Sequence, residues 1–467
     1  MGYTASEREL AAHFRGGMTE GEIPGTGVTL SARRFRSSVD SSLPDGRYVP
    51  GPFRSLFRSR ELEESNREFS YYIMFPGGIN GKSSANGILS GIISYSDRVT
   101  VPGEAAIRRS GISQVFGAGH GTSPVHSSVI TPVTCPCPDP GPGLCSAVSP
   151  VSGPETGDDI SIPRSRGAII LLHGLNERGW GKYIQWATRL ASGTGRPVVL
   201  FPLAYHMNRS PRSWMDRHIM MPLVTARTTL LPDTRLSTFV NVALSTRMTI
   251  SPQRFMVSGY QTAVDLAALI QSMREGSIPG IAAGGPADIF AYSIGALVTQ
   301  VMMLSDPSPL PDDSRIMLFC GGSTFGLMNG TSKLIMDSRA FEKLLSFYLS
   351  WPDVPMNGSR DRLTRLMHDT PEGEAFFAMT SLQRLRDLRG KPFSHYDGRL
   401  KAVTLAGDTV IPCQAIKDTL SGADTGIWEP GYPCSHESPF PVLAGEKADA
   451  VDRTFDRLFD TAAGFLS

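Results

Sequence analysis

The chain has 467 residues, 40% of them hydrophobic and 19% charged, with a formal net charge of +1. That length fits one large domain with insertions or two domains, and the apolar share supports a sizeable core, which excludes global disorder. The near-neutral balance excludes a strong field that would recruit nucleic acid or an anionic membrane, and no apolar run approaches the roughly 20 residues that span a bilayer.

The opening residues, MGYTASERELAAHFRGG, lack the apolar stretch of a secretory signal, and six cysteines are too few for a disulfide framework in a chain this long. Both features point to the cytoplasm. Residues 1–165 form a first region rich in Gly, Ser, Pro and Arg. Within it REFSYYIMF (67–75) and NGILSGIISYSD (86–97) are predicted strands, able to add to a sheet edge. The stretch 131–165 is punctuated by proline and reads as a linker. It carries Cys135, Cys137 and Cys145, whose C-x-C-x7-C spacing matches no common zinc pattern, even with His120 and His126 upstream. Reduced thiols in a linker are the simpler reading, and neither a metal nor another cofactor is expected.

From residue 166 the texture changes. GAIILLHG is an unbroken apolar run ending in a turn, the pattern of a strand buried on both faces of a parallel sheet. GWGKYIQWATRLASGTG follows with apolar residues at helical spacing and Gly193 as the expected stop. PVVLFPLA (197–204), ADIFAY (287–292), RIMLFCGG (315–322) and LKAVTLAGD (400–408) are further buried strands. YQTAVDLAALIQSM, SIGALVTQVMML, SRAFEKLLSFYLS and the C-terminal segment are helices. Alternating strands and helices predict an α/β domain over 166–467, with a mostly parallel central sheet and helices on both faces. Two excursions, 205–255 and 323–396, interrupt the alternation and are expected to form helical caps beyond the strand ends.

The chemistry concentrates at Ala291-Tyr292-Ser293-Ile294-Gly295. A serine on a sharp turn between a buried strand and a helix exposes its Oγ at the sheet edge, and its small neighbours let strand and helix approach. Ala291 stands where a glycine is more usual. A helix N-cap serine is the alternative reading of the same residue. A serine nucleophile needs a base and a group to orient it. His436, in GYPCSHESPFP, is the expected base, since His395 precedes the fifth strand on the wrong side of the sheet. Asp408, in LAGDTVIP, is the expected acid, with an N-cap aspartate as its alternative. The N–H groups of Leu175 and Ile294 are expected to form an oxyanion hole, worth on the order of 3 kcal/mol per donor. His173 is read as supporting that loop. Asn176, His206, Arg209 and Tyr292 are expected to line the substrate side. In AYHMNRSPRSWMDRH (204–218) arginines could hold an anionic group or pin the cap through ion pairs.

LLHG, AYSIGA, LAGDTVIP and the late SHESP together resemble the α/β-hydrolase superfamily. HGLNERGWGKYIQWA and VVLFPLAYHMNRSPRSW look more narrowly like a bacterial family of hydrolase-like proteins without an assigned substrate. The resemblance covers about residues 166–467 and implies an α/β-hydrolase fold, a Ser293–Asp408–His436 triad, and hydrolysis of an ester, thioester or amide of a small-molecule acyl substrate. An acyltransferase on the same triad and a silent binding protein that kept the fold are the two alternatives. Acyl chain, leaving group and oligomeric state are not legible in the sequence.

Overall fold

The computed structural model describes residues 2–14, 18, 20–39, 49–77, 92–93, 167–350, 362–384 and 393–467. The proline-rich stretch, the Cys135/Cys137/Cys145 cluster, His120, His126 and most of 86–97 lie outside these residues.

Helix α1 (Tyr3–His13) leads into strands β1 (Gly21–Ile23) and β2 (Val28–Arg36), then α2 (Arg60–Arg67), β3 (Glu68–Pro76) and the two-residue β4 (Ile92–Ile93). There follow β5 (Ala168–Leu172), α3 (Gly181–Thr194), β6 (Val198–Leu200), α4 (Arg217–Leu230), α5 (Val242–Ile250) and α6 (Gln253–Arg274). Next come β7 (Ala287–Tyr292), α7 (Ile294–Leu304), β8 (Ile316–Phe319), α8 (Ser338–Leu349), α9 (Arg362–His368) and α10 (Pro371–Ala378). The chain closes with β9 (Leu400–Leu405), α11 (Cys413–Thr419), β10 (Asp424–Trp428) and α12 (Glu446–Leu466).

The strands lie in the order β1-β2-β3-β6-β5-β7-β8-β9-β10, with β4 beside β2. Pairing is antiparallel from β1 through β3 to β6, and parallel from β6 to β10. This mostly parallel sheet, wrapped by helices on both faces, is the α/β-hydrolase fold. Three strands escaped sequence reasoning: β1, which is only three residues long, β2 and β10. β2 alternates apolar residues with Ser and Arg, and β10 is short and half-exposed, so neither presents a continuous apolar run.

Alternate side chains of each central strand feed two separate cores. Ile170, Leu172, Ile289 and Ala291 face α6, α7, α8 and α10, whereas Ile169, Leu171, Phe290 and Tyr292 face α1, α3 and α12. A strand covered on both sides has no polar face, which is why β5 and β7 read as unbroken apolar runs. Residues near the start of the chain contribute to both cores. Tyr3 stacks on Phe455 at 4.2 Å, and Phe35 and Phe69 pack edge-on against Phe201.

The expected helix stop at Gly193 needs correcting. Gly195, with φ 65°, ends α3 in the left-handed conformation. Gly193 stays helical, and a Cβ there would sit 2.9 Å from that of Ala463, so this glycine lets α3 and α12 approach.

The chain reverses its direction of travel across the sheet between β5 and β7. β5 connects to β6 on one side, while β7 connects to β8 on the other. Loops leaving the C-terminal ends of two such neighbours diverge and open a crevice between them. The segment His173–Asn176 leaves β5 at that crevice and Ser293 leaves β7. The two long excursions meet above it, where Arg227 of the first makes a buried bidentate pair with Asp337 of the second at 2.5 and 2.7 Å. Asp337 also caps α8 by accepting from the Ala340 amide. No described helix is long and apolar enough to cross a membrane.

Candidate active site

Ser293 occupies the turn between β7 and α7 with φ 57° and ψ −117°, a conformation costly for any residue with a Cβ, on the order of 1–3 kcal/mol. The turn is tight because α7 starts against the end of β5. A Cβ on Gly295 would lie 2.8 Å from Leu172 Cβ and 3.0 Å from its carbonyl oxygen. Were Ser293 a helix cap, its Oγ would accept from an amide of the first turn, and it makes no such bond. Oγ lies instead 2.7 Å from His436 Nε2.

His436 Nδ1 is 2.8 Å from Asp408 Oδ2. A carboxylate can only accept, so Nδ1 carries the proton and Nε2 presents its lone pair to the serine hydroxyl. Asp408 Oδ1 accepts from the amides of Val410 and Ile411 at 2.9 and 3.0 Å. The N-cap position of α11 is Pro412, so Asp408 is not the helix cap weighed for it; one of its oxygens holds its own turn and the other faces the imidazole. Tyr292 donates its hydroxyl to the backbone carbonyl of His436 and stacks on the imidazole at 5.5 Å, so it braces the histidine loop. Ser293 and His436 are buried, each at 5% exposure, and the Asp408 side chain is buried with 2% of it exposed.

The loop after β5 is built around His173. Its Nδ1–H donates to the Gly174 carbonyl and its Nε2 accepts from the Leu203 amide, tying the β5 and β6 loops together. Burial pushes this imidazole well below its ordinary pKa, so it stays neutral. The left-handed residue of this loop is Asn176, with φ 61°, while Gly174 makes room for the Tyr292 ring, 2.9 Å from where a Cβ would stand. The amides of Leu175 and Ile294 meet no acceptor among the described residues.

A largely apolar cavity of about 60 Å³ opens beside these amides, with Leu175 and Ile294 in its wall together with Leu203, Met248, Phe255 and Leu297. Of the residues expected on the substrate side, Asn176 and His206 line it. Asn176 also donates to the carbonyls of Val240 and Leu334, holding both excursions to the loop. His206 donates Nδ1–H to the Ala204 carbonyl, and burial pushes its pKa down to about 4.

Arg209 and Tyr292 are placed elsewhere. Arg209 is fully buried, pairs with Asp265 at 2.8 Å, donates to the carbonyls of Pro202 and Asn66, and lies 3.9 Å over the Phe69 ring. Asp265 also accepts from Ser37 at 2.8 Å, so this pair fastens Ser37, Asn66 and Phe69 to α6. Arg209→Met should therefore lower folding stability by about 3–5 kcal/mol, because a buried carboxylate loses its counter-charge. Combining it with Asp265→Leu should recover most of that loss in a urea titration. A single substitution costing less than about 1 kcal/mol would remove the pair from this role.

Sequence reasoning missed Arg178, Arg247 and Arg254, which also line the cavity. Arg178 was within reach, since it stands three residues after Leu175 on the same loop. Arg247 and Arg254 carry no such local signal, because α5 and α6 bring them in from a distance.

Residues 160–467 match the model of a family described as "Family of unknown function (DUF6051)". No curated protein matches the sequence. Among solved structures, DphMB1 is similar at 13% identity, over 66% of this chain and 80% of its own, with a TM-score of 0.35. Carboxyl esterase 2 (TmelEST2) from the mycorrhizal fungus Tuber melanosporum is similar at 12% identity, over 65% of this chain and 80% of its own, with a TM-score of 0.33. The peroxisomal alpha-beta-hydrolase Lpx1 from Saccharomyces cerevisiae is similar at 12% identity, with the same coverages and a TM-score of 0.28. Such scores carry no argument, and the fold assignment stands on the strand order.

Proposed function

The chain belongs to DUF6051, a family whose description assigns no activity, and we propose from the site geometry that it is a serine hydrolase acting on an ester, thioester or amide of a small acyl substrate. The observation that carries this reading is the 2.7 Å approach of Ser293 Oγ to His436 Nε2, with Asp408 on the far side of the imidazole. Nothing about a strand-to-helix turn requires those three side chains to meet. A purely structural serine at this position would cap α7 instead.

In the proposed reaction Oγ attacks the acyl carbon while its proton passes to His436 Nε2. The carbonyl oxygen gathers negative charge and is held by the amides of Leu175 and Ile294. The tetrahedral intermediate collapses, and the leaving group departs with the proton from Nε2. Water then repeats the sequence on the acyl-serine, with His436 as base, releasing the acid and restoring the Oγ–H. Asp408 keeps Nδ1 protonated throughout. An alcohol or amine in place of water would make the same site an acyltransferase. The two excursions, 205–255 and 323–396, form the proposed cap insertions of the 166–467 domain, and the thiols Cys320, Cys413 and Cys434 suit a reducing cytoplasm.

A fluorophosphonate probe should label the wild-type protein and leave Ser293→Ala unlabelled. A folded wild-type protein that resists the probe would favour a silent binding protein. Labelling that persists in the variant would move the nucleophile to another residue.

A further inference from the structure

The cavity beside the proposed oxyanion hole is apolar over most of its wall, and its charged lining is one-sided. Arg178, Arg247 and Arg254 face a single carboxylic residue, Glu372, among the described lining residues. Burial raises the Glu372 carboxyl above its ordinary pKa, which weakens it as a counter-charge. Arg178 Nη2 donates to Asn176 Oδ1 at 2.7 Å, but Nε and Nη1 are buried and meet no acceptor among the described residues. The neighbouring carboxylate, Glu177, is engaged by Lys182 and by the Tyr183 hydroxyl at 3.0 Å. The Arg178 guanidinium lies 5.1 Å from the centre of the Trp214 ring, which supports its flat face and leaves its edge donors for another group.

A buried cation with unused donors is expensive to keep. Burial pulls the Arg178 guanidinium down to about 10, the direction expected of a charge removed from water. The loop that carries it also carries Leu175, three residues earlier, so an anion held by Arg178 would lie in the same cavity as the carbonyl under attack. Leu203, Leu297 and Val298 line the same cavity and would face an apolar segment joining the two groups.

We propose that this cavity selects esters bearing a carboxylate, with Arg178 as the residue that recognises it. The proposal rests on the serine hydrolase reading for the reaction, but not for the binding. Arg247 and Arg254 extend the positive wall, to which His206, kept neutral, adds no charge.

The test compares the mono-para-nitrophenyl ester of adipate with its neutral isostere, in which an isopropyl group replaces the free carboxylate. Wild type should favour the anionic ester in kcat/KM by at least about tenfold, the effect of one charge-assisted hydrogen-bonded contact. In Arg178→Met that ratio should fall to near one, and Arg178→Lys should retain part of it. General misfolding would lower both rates and leave the ratio intact. Calorimetry of the half-ester on Ser293→Ala protein needs no turnover, and Arg178→Met in that background should weaken binding about tenfold. Equal hydrolysis of both esters by wild type would overturn the anion site and leave the serine reading in place. Arg178-dependent binding without hydrolysis would do the reverse. A wild-type preference that survives in Arg178→Met would also overturn the assignment.

Discussion

Ser293→Ala is expected to lower kcat by about 10⁵–10⁶-fold on any ester the wild type hydrolyses, because nucleophile and base act as one unit and removing either forfeits the covalent route. Stability should stay within about 1 kcal/mol of wild type. The lost hydroxyl has His436 as its partner and caps nothing, and alanine keeps the same strained backbone. Chemical denaturation alongside the rate measurement separates the two effects. A variant retaining more than a small fraction of wild-type kcat would show that Ser293 does not carry the reaction.

Asp408→Asn is expected to lower kcat on the order of 10⁴-fold, through the imidazole tautomer. Asp408 Oδ1 accepts two backbone N–H bonds, from Val410 and Ile411. Only the carbonyl oxygen of an asparagine can take that place, so its NH₂ group must face His436 Nδ1. Nδ1 then becomes the acceptor, the proton moves to Nε2, and Nε2 has no lone pair with which to take the serine proton. Full activity in Asp408→Asn would require another carboxylate to orient His436.

Much of the site is readable before folding because each of its parts is a local event. β5 and β7 are sealed on both faces and so appear as uninterrupted apolar runs. The turn at Ser293 needs small residues two before and two after it, and Gly295 is needed because Leu172 stands within 3.0 Å of where its Cβ would be. The turn after β9 needs a short side-chain acceptor to hold its own amides. Such requirements are written into a few adjacent positions. Gly193 shows the limit of that reading, since its role is set by Ala463, far along the chain.

What the sequence by itself determined was the alternation of buried strands and helices, the turn at Ser293, and the chain order Ser293, Asp408, His436. What only the tertiary structure decided was which charges meet. Arg209 and Arg178 both sit in loops after parallel strands, and nothing in their flanking residues ranks one above the other. Folding gives Arg209 the carboxylate of Asp265, from the middle of α6, and so removes it from substrate recognition. It gives Arg178 an indole and an amide oxygen, and leaves its Nε and Nη1 without an acceptor among the described residues. A long side chain finds its partners across space rather than along the chain, and a guanidinium's role is set by the partner it meets.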